Sequence, residues 1–538
     1  MKNTSKFLAA LVLVSLTTSC GDDFFDINEN PNSLTLESAT PNAILAQALK
    51  VTADNYGLTL NTYGSWTAGY WGKTGTVNGY NPERTYTYSS TYQQGLWGSV
   101  YDNIKDYDNI EKNGADLGLV YISSIGKIMK VLNYQLLVDQ YGDIPYSQSL
   151  QSDSPTPILA PQYDKAEDIY KDLVVKLDEA IAAIRTPGAN AVAVGPEDIV
   201  FGGTMANWVR FANTLKLRIL LRQSFVPALD GYVRAEMTKL QAQLAPEGFT
   251  TTDVAAQPGY LQTAGKQNPF WNAYRANPAG ARIAQSNYQA GTQYIIDQYE
   301  QNSDPRVSQL YVLATAGAFN GKYKGVVLGD PNPLPGGTQI SRWKDYGGIL
   351  KGFDASTPLM LAAESYFLQA EAKSRGFLTG GDAGAKTDFN NGIRASFVYF
   401  YAPAPSRAAT TSNVSANAVA DYTKYLTANT TNGLVDWDAA TTTLGVPAGS
   451  TTRPVSKLEK IIYQKYLAMN SVTAIEAWNE YRRTTFPKFP ASLQSSSPRA
   501  DKLPVRLLYP QTEISTNFSN IPENINQFTS KIFWDVMD

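Results

Sequence analysis

Histidine is absent from this chain of 538 residues, and cysteine occurs only once. Without histidine the chain cannot form the Ser/His/Asp or Cys/His arrangements of nucleophilic catalysis, and it cannot bind zinc or iron through imidazole. A single cysteine cannot form an intramolecular disulfide, so the fold must be stabilised by burial. Carboxylate pairs, lysine, tyrosine and oxygen-ligated metals remain available, which leaves a glycosidase with two catalytic carboxylates open.

A surplus of positive charge is missing as well, because the net charge of the chain is −3. Proteins that bind nucleic acid need a basic patch to neutralise phosphates, so no nucleic-acid partner is expected. No Pro/Ser linker or run of charge divides the chain, and we expect residues 20–538 to form a single domain, although the length alone would allow about two to four.

Metal-binding patterns are also scarce. Acidic and amide side chains are dense at 24–33, but their spacing does not match an EF-hand loop. We therefore predict no metal ligands and no cofactor, and a structural calcium ion remains an open alternative.

The N-terminus has the pattern of an exported protein. Two lysines precede an apolar run at 7–16, which is far shorter than the roughly 20 residues that a membrane-spanning helix needs. Small residues at 17–19 then lead to Cys20. This pattern predicts a signal peptide at 1–19 that is removed after export.

The position of Cys20 resembles the lipobox of bacterial lipoproteins, in which the cysteine is acylated and becomes the first mature residue. Leu16 lies one position further from the cysteine than in the usual lipobox, and an ordinary signal peptide followed by a free cysteine is the alternative. Acidic residues directly after Cys20 resemble the Bacteroidetes signal for export to the cell surface. We therefore expect a surface-exposed lipoprotein of the outer membrane with a tether at 20–40.

Two aromatic-rich stretches lack any sustained periodicity, at 56–92 and 225–355. Rings on irregular backbone either form a satellite core under long loops or lie exposed as a platform for flat ligands such as sugars. The candidate platform residues are Trp66, Trp71, Tyr80, Trp271, Tyr274 and Trp343. Asn272 and Arg275 lie beside Trp271 and would hydrogen-bond sugar hydroxyls, and Tyr346 belongs to the same aromatic group.

Helical periodicity organises most of the remaining chain. Apolar residues recur at three- and four-residue steps in the segments 122–136, 166–184, 208–219, 359–370, 458–469 and 474–481. The last two segments, joined by a tight turn, are typical of a tetratricopeptide hairpin, although no clean 34-residue repeat is visible. This pattern predicts a mainly helical protein.

Local signals give further expectations for several parts of the chain. Thr357-Pro358 is expected to open a helix, because proline suits the first helical turn. A short helix is expected near 385–399, and residues 402–453 are expected to form a surface excursion. The cations of the third helix are expected to lie on solvated faces and in ion pairs with neighbouring helices; they are Arg210, Lys216, Arg218 and Arg222.

Several segments, taken in order, resemble the SusD/RagB family of nutrient-binding outer-membrane lipoproteins of Bacteroidetes, and specifically its SusD-like branch. The matching segments are DINENPN at 26–32, YGDIPY at 141–146, LKLRILLR at 215–222, LAAESYFLQAEA at 361–372, IIYQKYLAM at 461–469, AWNEYRRTTFP at 477–487, LYPQTE at 508–513 and KIFWD at 531–535. The resemblance implies four tetratricopeptide-like helix pairs as a scaffold, with long irregular segments folded against it as the ligand-binding part.

The resemblance also implies a function. A SusD-like protein captures oligosaccharides at the cell surface and delivers them, chemically unchanged, to a TonB-dependent SusC-like transporter. This implies a binding protein with no catalytic residues. The alternatives are a peptide-binding RagB-like lipoprotein, a helical scaffold that recruits partner proteins, and a surface glycosidase.

Overall fold

The computed structural model describes residues 40–405, 414–443 and 452–537. The predicted signal peptide at 1–19, the predicted lipidation site Cys20 and the tether up to residue 39 lie outside the described residues. Within the described part of the chain, no helix is both long enough and apolar enough to span a membrane.

Helices dominate the described residues. In chain order they are α1 Pro41–Asp54, α2 Asn61–Thr67, α3 Asn81–Thr85, α4 Gln94–Asp116, α5 Val120–Tyr141, α6 Ala166–Arg185, α7 Met205–Gln223, α8 Asp230–Gln243, α9 Pro269–Tyr274, α10 Gln293–Gln301, α11 Val307–Leu310, α12 Ala362–Ser374, α13 Gly381–Tyr401, α14 Val414–Ala428, α15 Lys457–Ala468, α16 Ala474–Thr484 and α17 Gln511–Thr516.

The strands are short and pair in twos. They are β1 Trp71–Lys73, β2 Ile144–Pro145, β3 Tyr163–Asp164, β4 Val254–Ala256, β5 Gln289–Gly291, β6 Thr357–Met360, β7 Thr441–Thr442 and β8 Arg453–Pro454. The antiparallel pairs are β1 with β5, β2 with β3, β4 with β6, and β7 with β8. The β1–β5 pair joins the two aromatic-rich stretches.

Neighbouring helices in the chain pack against one another to form the scaffold. In the first half α4 packs on α5, α5 on α6, α6 on α7 and α7 on α8; in the second half α12 packs on α13 and α13 on α14. The helix α6 shows why: its apolar positions recur at helical spacing and are buried, whereas acidic residues occupy its first turn and Arg185 its last.

The hairpin of α15 and α16 completes the scaffold. Gly64 of α2 lies against this hairpin so closely that a Cβ atom there would lie 2.3 Å from the backbone nitrogen of Ile475. Only glycine permits that approach, so α2 is held directly on α16.

The structure corrects three sequence-based expectations. Thr357-Pro358 begins strand β6 rather than a helix, because this segment pairs with β4, and α12 begins only at Ala362. The predicted short helix at 385–399 is the longer α13, and the expected surface excursion at 402–453 contains α14.

The cations of α7 also differ from the expectation. Lys216, Arg218 and Arg222 are buried rather than solvated. Arg218 lies 3.4 Å from Glu364 of α12, and Arg222 pairs with Glu476 of α16. The expected ion pairs between helices are present, but they lie in the interior of the scaffold.

A second group of buried charges joins α12, α15 and α16. Arg483 contacts Glu371 at 2.5 Å and donates from Nε to Glu480 at 2.9 Å, and Lys465 lies 3.1 Å from Glu480. Burial alone would raise the pKa of Glu371 and Glu480, but Arg483 and the other neighbouring cations outweigh it and lower both pKa values. In the first group of charges, Arg218 and Arg222 likewise lower the pKa of Glu476 to about 2. The carboxylates are therefore ionised and depend on their cations.

We predict that Arg483→Ala lowers the free energy of unfolding by about 3–5 kcal/mol, because it removes the cation shared by two buried carboxylates and leaves Glu371 with Arg375 and Glu480 with Lys465. Urea unfolding followed by circular dichroism measures this change. The matched control is Arg234→Ala, which removes an exposed arginine that pairs with Asp230 on its own helix and lies 5.0 Å from the Phe377 ring, and it should cost less than about 1 kcal/mol. Equal effects of the two substitutions would show that the buried network does not stabilise the scaffold.

Candidate functional site

Five of the six candidate aromatic residues form one connected group of rings, whereas Trp271 packs on Tyr346. Trp66 lies 4.8 Å from Tyr80 and 6.5 Å from Trp71, measured between ring centroids. Trp71 in turn lies 5.2 Å from Tyr274 and 4.8 Å from Trp343. The two stretches that contribute these rings are more than 180 residues apart at their nearest candidates in the sequence, and the β1–β5 pairing brings them together.

Five of these six rings are buried. The exposed fractions are 1% for Trp66, 0% for Trp71, 3% for Trp271, 8% for Tyr274 and 4% for Trp343. The expectation of an exposed platform therefore does not describe these five rings in this structure. They form the apolar core beneath the loops, because the loops have no regular scaffold of their own and need large side chains to pack around.

The remaining candidates lie nearer the surface. Tyr80 is half-buried, and its hydroxyl donates to Gln289 Oε1 at 2.8 Å. Asn272 is exposed, and its Oδ1 accepts from Gln267 Nε2 at 3.0 Å. The guanidinium of Arg275 lies over the Trp271 ring at 5.3 Å and 3.2 Å from Asp345.

Trp271 and Arg275 together support one wall of a cleft of about 430 Å³. The cleft lies between the segment 344–346, the end of α13 and α14. Its lining residues are Gln309, Lys344, Asp345, Tyr346, Phe400, Tyr401, Ala402, Pro403, Asn417, Ala420, Asp421 and Lys424.

Tyr346 is the exposed aromatic residue of this cleft. Its side chain is 41% exposed, and its ring packs on Trp271 at a centroid distance of 4.9 Å. The backbone of Tyr346 has φ 54°, in the left-handed region that non-glycine residues seldom adopt. Such a conformation persists only where the surrounding structure holds it, so the position of this ring is fixed by its neighbours.

Polar groups surround the Tyr346 ring with little net charge. Tyr401 donates from its hydroxyl to Asp421 Oδ2 at 2.7 Å, and Lys424 donates to Asp421 Oδ1 at 2.9 Å. Burial and the neighbouring Asp421 carboxylate raise the pKa of Tyr401, so its hydroxyl stays protonated. Gln309 and Asn417 add amide groups. A concave site with one ring face and several hydrogen-bonding groups can bind a flat ligand rich in hydroxyls.

Sequence reasoning missed most of this cleft. Tyr346 was visible in the aromatic group, and Gly347-Gly348 directly after it is a turn signal that favours exposure of its neighbour. The residues from α14 carried no signal, because their segment was expected to be a surface excursion. Within the described residues, no three acidic or cysteine side chains come together to hold a metal ion.

The described residues form a helical scaffold that carries the Tyr346 cleft. The chain belongs to the SusD-like family, because the family model described as "Starch-binding associating with outer membrane" matches residues 31–510. The family resemblance and the mainly helical, tetratricopeptide-like scaffold expected from the sequence are therefore confirmed.

Solved structures support the fold. A SusD homologue from Bacteroides fragilis is 21% identical over 93% of this chain and 100% of its own, with a TM-score of 0.68. A chitin-binding SusD homologue from Flavobacterium johnsoniae is 21% identical over 91% and 98% of the two chains, with a TM-score of 0.66. A SusD-like protein from Bacteroides thetaiotaomicron is 20% identical over 91% and 98%, with a TM-score of 0.68. Among curated proteins there is no match.

The placement of the rings predicts a large loss of stability for one substitution and a small loss for another. Trp71→Ala should lower the free energy of unfolding by about 3–5 kcal/mol, because it empties a fully buried site. Tyr346→Ala should cost less than about 1 kcal/mol, because much of that ring is exposed. Chemical denaturation of both variants measures the difference, and a Tyr346→Ala variant as unstable as Trp71→Ala would contradict the placement of the cleft.

Proposed function

We propose that this protein captures oligosaccharides at the cell surface and that the cleft beside Tyr346 is the capture site. The observation that carries the proposal is the Tyr346 ring, which packs on Trp271, lines the cleft and is 41% exposed. Sugar rings present apolar C–H faces that stack on such a surface. The starch-binding description of the family and the chitin-binding relative support this ligand class.

The candidate residues of the sequence have different roles in this proposal. Trp271 and Arg275 hold the wall that carries Tyr346, and Asn272 extends that wall as an exposed amide. Trp66, Trp71, Tyr274 and Trp343 form the core that keeps the loops in place. Tyr80, half-buried on the Trp66 ring, is a candidate for a further contact with a long glycan.

The charges of the cleft favour binding over hydrolysis. A glycosidase needs one carboxyl group that is free to donate a proton and a second carboxylate opposite it. Asp345 is paired with Arg275 and Arg282, and Asp421 is paired with Lys424 and with the hydroxyl of Tyr401. Both carboxylates of the cleft are therefore held by partners and suit a role in orienting hydroxyl groups.

The same cleft suits weak and reversible binding. One stacked ring contributes about 0.5–1.5 kcal/mol beyond its buried area, and each additional hydrogen bond adds about as much. Affinities in the micromolar to millimolar range follow, which suits capture and release during uptake.

The proposal includes the route of the captured ligand. Residues 1–19 are removed as a signal peptide, Cys20 is acylated, and the tether at 20–40 connects the body to the outer membrane. The partner is a TonB-dependent SusC-like transporter that receives the oligosaccharide unchanged. The description of the family as associating with the outer membrane supports this location.

A peptide ligand is the second candidate function. Exposed tyrosine beside amides and both signs of charge also suits peptide side chains, as in the RagB-like branch. The two candidate functions differ in whether oligosaccharides or peptides produce heat of binding in calorimetry.

We predict that Tyr346→Ala weakens binding of the best oligosaccharide ligand by about tenfold, because it removes the stacking ring. Isothermal titration calorimetry of the purified protein against malto-oligosaccharides, chito-oligosaccharides and a tryptic peptide mixture measures this. The control is Phe518→Ala, which removes a ring that is 77% exposed, against 41% for Tyr346, and that does not line the cleft.

The proposal is supported if the protein binds oligosaccharides, if Tyr346→Ala weakens this binding and if Phe518→Ala leaves it unchanged. Heat from peptides with none from any glycan would favour the peptide-binding alternative. Glycan binding that Tyr346→Ala leaves intact would place the site elsewhere.

Lipid anchoring gives a separate prediction. Cys20→Ser should move the protein from the membrane fraction to the soluble fraction, because acylation needs the thiol. Cell fractionation with immunoblotting measures the distribution, and metabolic labelling with a clickable palmitate analogue should label the unaltered protein only. A Cys20→Ser variant that stays in the membrane fraction would refute the anchor.

A further inference from the structure

A second cleft lies on the helical scaffold and shares no lining residue with the Tyr346 cleft. Its volume is about 510 Å³, and it lies between α4, α5, α6 and the segment that follows Tyr146. Its lining residues include five lysines, which are Lys105, Lys112, Lys127, Lys130 and Lys176, and three carboxylates, which are Asp108, Glu111 and Asp153. With Glu179 at the rim, five lysines face four carboxylates, so the cleft has a small excess of positive charge in a chain whose net charge is negative.

Two of the lysines belong to the base of the cleft. Lys130 lies 2.7 Å from Asp108 and 3.1 Å from Glu111, and Lys127 lies 3.4 Å from Glu111 and 2.7 Å from Glu179 at the rim. Burial would raise the pKa of Asp108, but the neighbouring lysines outweigh it and lower that pKa. These pairs are partly buried and fix the shape of the cleft.

The other three lysines form pairs in which at least one side chain is exposed. Lys105 pairs with Asp153, whose side chain is 65% exposed, and Lys112 pairs with Asp108 while its own side chain is 68% exposed. Lys176 lies 3.3 Å from Glu179. Exposed pairs of this kind contribute little to stability, so these ammonium groups can turn toward an anionic ligand at small cost.

The rest of the lining suits sugar hydroxyls rather than a flat surface. Ser147, Ser149 and Gln151 line one side, and the rings of Tyr134 and Tyr146 meet edge to face at 4.7 Å. Asn109 also lines the cleft, and its buried amide nitrogen has no hydrogen-bond partner among the described residues. The hydroxyls of Ser147 and Ser149 donate to Asp164 and to the Tyr146 carbonyl, and their oxygens can still accept hydrogen bonds from a ligand. A concave shape lined by such groups fits a short chain of sugars better than a membrane surface.

We propose that this lysine-lined cleft is a second binding site, separate from the Tyr346 cleft, and that it binds acidic oligosaccharides whose sugar units bear carboxylates. The rim lysines pair with the carboxylates, and the serines, Gln151 and Asn109 hydrogen-bond the hydroxyls. Binding at this site depends on charge, whereas binding at the Tyr346 cleft depends on stacking.

Calorimetry of the purified protein with short oligogalacturonides tests the proposal. The same oligosaccharides after methyl esterification are the ligand control, because they keep the sugar rings and lose the charge. The test variant is Lys105→Gln/Lys176→Gln, and the control variant is Lys239→Gln/Lys386→Gln, which removes two exposed paired lysines from other helices. Both variants change the net charge equally, and circular dichroism checks that both are folded.

We expect the unaltered protein and the control variant to bind the oligogalacturonides, and the test variant to bind them about tenfold more weakly. Methyl esterification should weaken binding to a similar extent, and added salt should also weaken it. Tyr346→Ala should leave this binding unchanged even if the proposed function of the Tyr346 cleft is wrong.

The proposal is overturned if the protein does not bind oligogalacturonides, if it binds the esterified ligand equally well, or if the test variant binds as well as the control variant. Binding lost in Tyr346→Ala would assign the ligand to the other cleft. Lysine-dependent binding to vesicles containing phosphatidylglycerol, without binding of the oligosaccharides, would assign the surface to a membrane and reject the sugar site.

Discussion

The need to neutralise charges inside the helical scaffold constrains the rest of the structure. Arginines of α7 and α16 are buried opposite carboxylates of α12 and α16, and each would be very unfavourable without its partner. Such pairs tolerate little sliding of one helix against another, because the contacts are short and directional. The network therefore fixes α12 in register with its neighbours.

This register extends to the candidate site through packing. The helix α12 packs on α13, and the end of α13 contributes Phe400 and Tyr401 to the Tyr346 cleft. On the other side of the cleft, the core of buried rings beneath the loops holds Trp271, and Trp271 holds Tyr346. The buried charge pairs between the helices and the buried rings beneath the loops thus position opposite walls of one cleft.

The sequence predicts the parts of this arrangement that depend on local patterns. The spacing of apolar residues in α6 predicts both the helix and its buried face. The density of aromatic residues in two irregular stretches identifies the rings that pack beneath the loops. The predicted start of α12 at Thr357-Pro358 was wrong, because these residues begin strand β6 instead. This strand pairs with β4, which lies about a hundred positions earlier in the sequence, so the local proline signal could not reveal it. The exposure of each ring could not be predicted, since it depends on which distant helix covers it. Tyr346 lines the cleft between its own segment and α14 and is 41% exposed, whereas Trp71 is covered by Trp343 and Tyr274.

The most direct measurement of the central claim is a crystal structure of the protein with the oligosaccharide that binds it best. The account predicts density for a sugar ring stacked on Tyr346, between the segment 344–346 and α14, with the buried rings beneath the loops unchanged. A bound oligosaccharide that does not contact Tyr346, in a protein whose cleft stays empty of ligand, would contradict the account.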